Sequence, residues 1–128
     1  MTPIQAFFYD QSAILHRLWQ SFPRPCSLWV VDFVGQLELD EYGLQADRHL
    51  RCLACMQWLA AEGWIRFHDI ERELGVNQAV LSQQALQALL KPVGEISLIQ
   101  AISQQLAEPV SQQSLGELQN LCMQMMQN

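Results

Sequence analysis

A possible metal-binding motif lies near the middle of the chain. His49, Cys52 and Cys55 follow one another at intervals of three residues, and imidazole and thiolate groups are common zinc ligands. On a helix these three side chains would spread over about 120° of the circumference. A structural zinc site needs four ligands, and no second close pair of histidines or cysteines completes this one. We therefore interpret Cys52 as a small core residue and Cys55 as a half-buried thiol, with metal binding as the third-ranked function.

Acidic residues gather just before this motif, at Glu38, Asp40, Glu41 and Asp47. Carboxylates hold cations or transfer protons when burial or pairing shifts their pKa. These four lie in a polar stretch, which favours a solvated surface. The sequence also contains no glycine-rich phosphate loop and no Gly-x-Ser-x-Gly elbow. We therefore expect no enzymatic activity and no cofactor.

The charge balance bears on the class of partner. Seven Lys and Arg residues stand against thirteen Asp and Glu residues, for a formal net charge of -6, whereas proteins that bind nucleic acid usually present a basic face. Trp and Arg are enriched at protein-binding hot spots, and Arg can also pair with guanine. The candidate DNA- or partner-binding residues are Arg48, Arg51, Trp58 and Arg66.

A long helix, predicted over about 46–62, must position most of these candidates. A helical wheel gives it a narrow polar sector that contains Arg48 and Arg51, with Cys55 and Trp58 beside it. The remaining faces are apolar and include Leu50, so we expect burial over most of its girth. Gly63 is a suitable stop, and the alternation over 64–68 is typical of a strand.

Local signals predict the other elements. Thr2 caps a helix over about 3–20, Ser82 caps a second over 83–90, and a third ends before Pro109. Residues 26–33 fit either a short strand or a short helix. Ser111 or Ser114 begins a last helix, whose apolar stripe contains Leu115, Leu118, Leu121, Cys122 and Met125. This stripe either closes the core or pairs with a second copy, and we expect a homodimer.

Two segments carry a resemblance to a known family. The run Trp-Leu-Ala-Ala-Glu-Gly-Trp-Ile (58–65), followed after a gap by Ala-Val-Leu-Ser (79–82) and a helical run to Leu90, resembles the winged-helix domains of bacterial regulators. Those domains commonly show Leu-Thr-x-x-Gly at the start of the helix that follows the hairpin. Here Ser82 stands in place of the Thr and Ala85 in place of the Gly. The resemblance covers about 1–90. The whole chain is also similar to a group of small uncharacterised proteobacterial proteins, which implies no particular activity.

The resemblance implies roles for some of the candidates. The helix over 46–62 would be the recognition helix, with Arg48 and Arg51 in the major groove and Arg66 near phosphate. The wing departs from the family because Asp69, Glu71 and Glu73 would repel the DNA backbone. A second register stays open, in which 69–82 is a helix-turn-helix and 77–90 is the reading helix. Strand pairing between 64–67 and 79–81 distinguishes the two.

The predicted architecture is mainly α (α+β), a winged-helix-like core over 1–90 with a small β-hairpin and a helical C-terminal extension over 91–128. We expect a cytoplasmic protein, since no apolar run approaches the roughly 20 residues that span a bilayer. The predicted function is a non-enzymatic, protein-binding module. The alternative is a DNA-binding transcriptional regulator that reads through 46–62, or through 77–90 in the other register.

Overall fold

The computed structural model describes residues 1–35 and 46–127. Within these ranges the chain is mainly helical with a small antiparallel sheet, which confirms the predicted fold class. The elements, in chain order, are α1 Pro3–Ser21, β1 Cys26–Trp29, α2 Val31–Val34, α3 Asp47–Ala61, β2 Ile65–Arg66, β3 Asp69–Glu71, β4 Gly75–Leu81, α4 Gln83–Leu89, β5 Pro92–Val93, β6 Ile96–Ser97, α5 Leu98–Ala107 and α6 Gln112–Met126. None of the helices in the described ranges is long and apolar enough to cross a membrane. The acidic residues Glu38, Asp40 and Glu41 lie outside these ranges.

Capping chemistry sets the helix starts. The Thr2 side chain accepts from the Gln5 amide while the Gln5 side chain accepts from the Thr2 amide, a capping box that begins α1. Ser82 caps α4, and Ser111 rather than Ser114 caps α6. The ambiguous stretch 26–33 forms both predicted elements in succession, β1 and then α2.

Strand β4 is the centre of the sheet. β1 pairs with one of its edges, and β2 and β3 pair with the other, all antiparallel. Ile65 lies opposite Leu81, and Arg66 lies opposite Val80. Residues 69–81 are therefore a β-hairpin, so the prediction of a helix-turn-helix over 69–82 is wrong, and the strand pairing expected between 64–67 and 79–81 is present.

The hairpin turn is held against α3. Arg72 and Glu73 have φ of +49° and +61°, and the Leu74 amide donates to the Glu71 carbonyl at 2.8 Å. Two successive left-handed residues make a type I′ turn, which usually uses Asn and Gly. His49 on α3 donates through Nε2 to the Glu73 carbonyl at 2.9 Å. This hydrogen bond joins the first turn of α3 to the β3–β4 turn.

The C-terminal helices complete a shared core. α6 lies against α1, where Ser12 Oγ and Cys122 Sγ are 3.1 Å apart. The predicted apolar stripe of α6 is buried within a single chain, with Leu118 only 1% exposed. The prediction that this stripe pairs with a second copy is therefore wrong, because these side chains already close the core. The small hairpin β5–β6, which sequence analysis did not predict, links α4 to α5.

Candidate functional site

Arg48 forms a two-point ion pair with the first helix. Its Nη1 and Nη2 atoms donate to the two carboxylate oxygens of Asp10, each at 2.6 Å. The Asp10 side chain is 1% exposed and that of Arg48 is 31% exposed. Burial raises the pKa of Asp10, while Arg48 and the nearby Cys52 thiol oppose that rise. The pair joins α1 to α3, so the Arg48 guanidinium is already occupied by a protein carboxylate.

Arg51 has a different environment. Its Nε donates to Asp47 at 2.6 Å, and both side chains are at the surface, 52% and 78% exposed. Such an exposed i,i+4 pair contributes only about 0.3–0.5 kcal/mol. Arg51 can therefore exchange Asp47 for another carboxylate at little cost.

An apolar groove runs between α1 and α3 beside Arg51. The rings of Phe7 and Trp58 meet edge to face, with centroids 5.1 Å apart. They form part of a depression of about 250 Å³, which is lined by Pro3, Phe7, Arg51, Ala54, Cys55 and Trp58. A second depression of about 280 Å³ shares Pro3 and Arg51 with the first and is completed by Met1, Thr2, Ala6, Asp47 and Arg48. We call these two adjoining depressions the α1/α3 groove.

The outward face of α3 continues this apolar surface. Leu50 is 42% exposed and Trp58 is 36% exposed, with the exposed Ala54 between them. The expectation that Leu50 points inward is therefore wrong. The buried side of α3 is formed by His49, Cys52, Leu53, Cys55, Met56 and Leu59. Because apolar residues surround this helix, the wheel could not show which of them the core would cover.

The residues of the possible metal motif have structural roles. His49 is 2% exposed and bonded to the Glu73 carbonyl in the β3–β4 turn, and Cys52 and Cys55 are buried. Burial is the main cause that raises the pKa of Cys52 to about 12, and it also raises the pKa of Cys55. Burial therefore favours the neutral thiol form of both side chains. Within 1–35 and 46–127, no group of three His, Cys, Asp or Glu residues is placed to hold a metal ion.

The remaining candidates lie on the sheet. Arg66 is exposed on β2, away from the groove lining. Asn77, which would begin the reading helix 77–90 in the discarded register, instead donates to Asp69 at 2.8 Å and to Glu71 at 3.0 Å. Two carboxylates of the β3–β4 hairpin are thus held by the same side-chain amide.

Gln11 is a buried residue whose side-chain amide forms no hydrogen bond with the described residues. Gln11 on α1 is fully buried, and neither atom of its carboxamide has a hydrogen-bond partner among the described residues. An unpaired buried polar group costs about 1–3 kcal/mol. This residue lies one helical turn beyond Phe7, on the inner side of α1.

Replacing Gln11 with methionine should therefore stabilise the protein. Methionine keeps the length of the side chain and removes both unpaired atoms, so we expect the free energy of unfolding to rise by about 1–2 kcal/mol. Urea unfolding monitored by circular dichroism measures this change. The matched control is Gln57→Met on the exposed side of α3, which should change stability by less than about 0.5 kcal/mol. A destabilised Gln11→Met variant would show that the amide is bonded in solution.

Sequence reasoning missed the contribution of α1 to this site. Pro3 and Phe7 line the groove and Asp10 holds Arg48, yet their only local signal was membership of an amphipathic helix. Comparisons with known proteins found no family model, no curated protein and no solved structure that matches this chain.

Proposed function

We propose that this chain is a non-enzymatic protein-binding module with a winged-helix-like core, and that its partner docks on the outward face of α3. The order of elements supports the resemblance. α3 ends at Ala61, Gly63 follows it and the chain enters β2, and the β3–β4 hairpin leads to the Ser82-capped helix α4. In such domains the helix at the position of α3 contacts the target.

The chemistry of that outward face carries the proposal. Leu50, Ala54 and Trp58 are exposed on it, and Arg51 is its one described cation. Arg48, the other arginine expected to read bases, is bonded to the buried Asp10. A surface that binds the phosphates of DNA needs several Lys or Arg side chains that are not already paired with carboxylates. An apolar face with Trp and one Arg is typical of a protein interface.

The same proposal places the protein in the cytoplasm. Cys26, Cys52, Cys55 and Cys122 are all free cysteines. Reducing compartments preserve thiols, whereas proteins of oxidising compartments commonly use cysteines in disulfides.

Two measurements test the proposal together. Titration of the protein with random-sequence duplex DNA at about 50 mM salt should show no binding, because phosphate contacts are strongest at low salt. Affinity capture from a nuclease-treated lysate should recover a protein that wild type retains and Trp58→Ser loses. Gln57→Ala is the matched control, since Gln57 is exposed on the same helix outside the groove lining, and it should retain the protein.

Salt-sensitive DNA binding that Arg51→Ala removes would support the transcriptional regulator instead. Capture that is equal for Trp58→Ser and wild type would also contradict the proposal, because the partner would then use another surface.

A further inference from the structure

We infer that the segment which occupies the α1/α3 groove is an amphipathic helix of the partner protein, with an acidic side chain placed to meet Arg51. The inference rests on the proposed protein-binding function and names the chemistry of the partner.

The shape of the groove fits a helix. Its lining on α3 extends from Asp47 to Trp58, which is about 16 Å or three helical turns. Enclosed small-molecule sites are commonly about 300–1,000 Å³, and each of the two depressions is smaller, at about 250 and 280 Å³. Two small adjoining depressions suit successive side chains at i, i+3 or i+4, and i+7 of one docked helix.

The lining determines which side chains enter. Phe7 and Trp58 provide the aromatic part of the lining, and the short side chains of Ala54 and Cys55 line the same depression. Small residues in the lining let a neighbouring helix approach closely. A leucine or phenylalanine of the partner would pack against both rings, where burial of a large apolar side chain contributes about 1.5–3 kcal/mol.

The charge of the groove selects the partner's ionisable group. Arg51 is the one charged residue among the six that line the aromatic depression. Among the described residues only its Nε is bonded, to the exposed Asp47, so its two Nη groups are directed to no other described acceptor. A guanidinium fork binds a carboxylate with two parallel hydrogen bonds. An acidic residue of the partner, one helical turn from its apolar anchor, would fit beside Arg51. The rest of this protein, with a net charge of -6, would repel such a residue.

A displayed library of amphipathic helices about 20 residues long tests this inference. The apolar face is kept constant, and the flanking positions vary among acidic, basic and neutral residues. Selection on wild type with removal of Trp58→Ser binders should enrich helices that carry Asp or Glu one turn from an apolar anchor. A synthetic peptide of this type should bind at least about tenfold more weakly to Arg51→Glu. The same peptide with Lys in place of the acid should regain affinity for Arg51→Glu. Asp47→Asn, the control, should not weaken binding to the acidic peptide.

Each other outcome has a distinct meaning. Enriched helices that lack an acidic preference, yet fail to bind Trp58→Ser, would overturn the inferred carboxylate and leave the protein-binding function standing. Helices that bind Trp58→Ser and wild type equally would overturn both. A library that yields no binder overturns the helical occupant. Sedimentation that shows a dimer of wild type but not of Trp58→Ser would identify a second copy as the occupant and would also overturn it.

Discussion

Replacing Arg48 with methionine is expected to destabilise the fold by about 3–5 kcal/mol, because it leaves a buried carboxylate without its cation. Asp10 is 1% exposed, and both of its oxygens accept from Arg48. Methionine retains the apolar contacts of the arginine stem, so the loss reports the charge and not the packing. Urea unfolding at pH 7 measures the change, with an unaltered slope expected if the unfolded state is unaffected.

The same variant should show a characteristic dependence on pH. Burial raises the pKa of Asp10 above its ordinary value of 3.8, and Arg48 limits the rise. Without Arg48 the pKa rises further, so above pH 3.8 the folded state binds more protons than the unfolded state. The free energy of unfolding of Arg48→Met should therefore fall as pH increases from about 4 to 7, and its deficit relative to wild type should be smallest in acid.

Two further variants make this result specific. Arg51→Met removes the exposed pair with Asp47 and should cost no more than about 0.5 kcal/mol. The double variant Asp10→Leu/Arg48→Met should recover most of the lost stability, because no unpaired charge stays buried. Equal effects of Arg48→Met and Arg51→Met would show that the buried pair contributes nothing special.

Gly75→Ala should be the second severely destabilising change, at about 3 kcal/mol. A Cβ atom at this position would lie 2.0 Å from the Leu28 carbonyl oxygen on the neighbouring strand β1. That oxygen belongs to the backbone, so β1 would have to move away and give up its pairing with β4. Thermal unfolding should show a lower Tm, by roughly 10 °C for a domain of this size. Near-ultraviolet circular dichroism should also change, since Trp29 lies opposite Gly75.

Gly116→Ala is the matched control for this prediction. Gly116 lies within α6 with no atom within 4 Å of an added Cβ, so alanine should stabilise the helix by about 0.5–1 kcal/mol. A Gly75→Ala variant with the stability of wild type would mean that β1 does not approach β4 as closely in solution as in this structure.

The starts and ends of several helices could be predicted from the sequence alone. Thr2 with Gln5, Ser82 and Ser111 are side chains that satisfy the free amides of a helix start, and each begins a helix. Gly63 adopts φ of +83° after α3, a conformation that glycine reaches without a steric penalty. These signals act over three or four residues, so no knowledge of distant contacts was needed to find them.

The alternatives left open by the sequence all depended on distant partners. Residues 69–81 have a pattern that fits a helix as well as a hairpin, and pairing with β1 and β2 decides in favour of strands. The stripe of α6 could face a second copy or α1, and packing within the chain buries it. In both cases the arrangement that forms depends on how much apolar surface the whole fold can bury, and a local sequence pattern does not contain that information.

The candidate site divides in the same way. By itself the sequence determined that Arg48, Arg51 and Trp58 share one helix of an acidic, mainly α protein, because composition and periodicity are local properties of the chain. Only the tertiary structure decided that Arg48 is bonded to Asp10, thirty-eight residues away, and that Arg51 and Trp58 line a groove with Phe7. Burial and ion pairing arise where α1 meets α3, and no residue pattern specifies which face of a largely apolar helix that contact will cover.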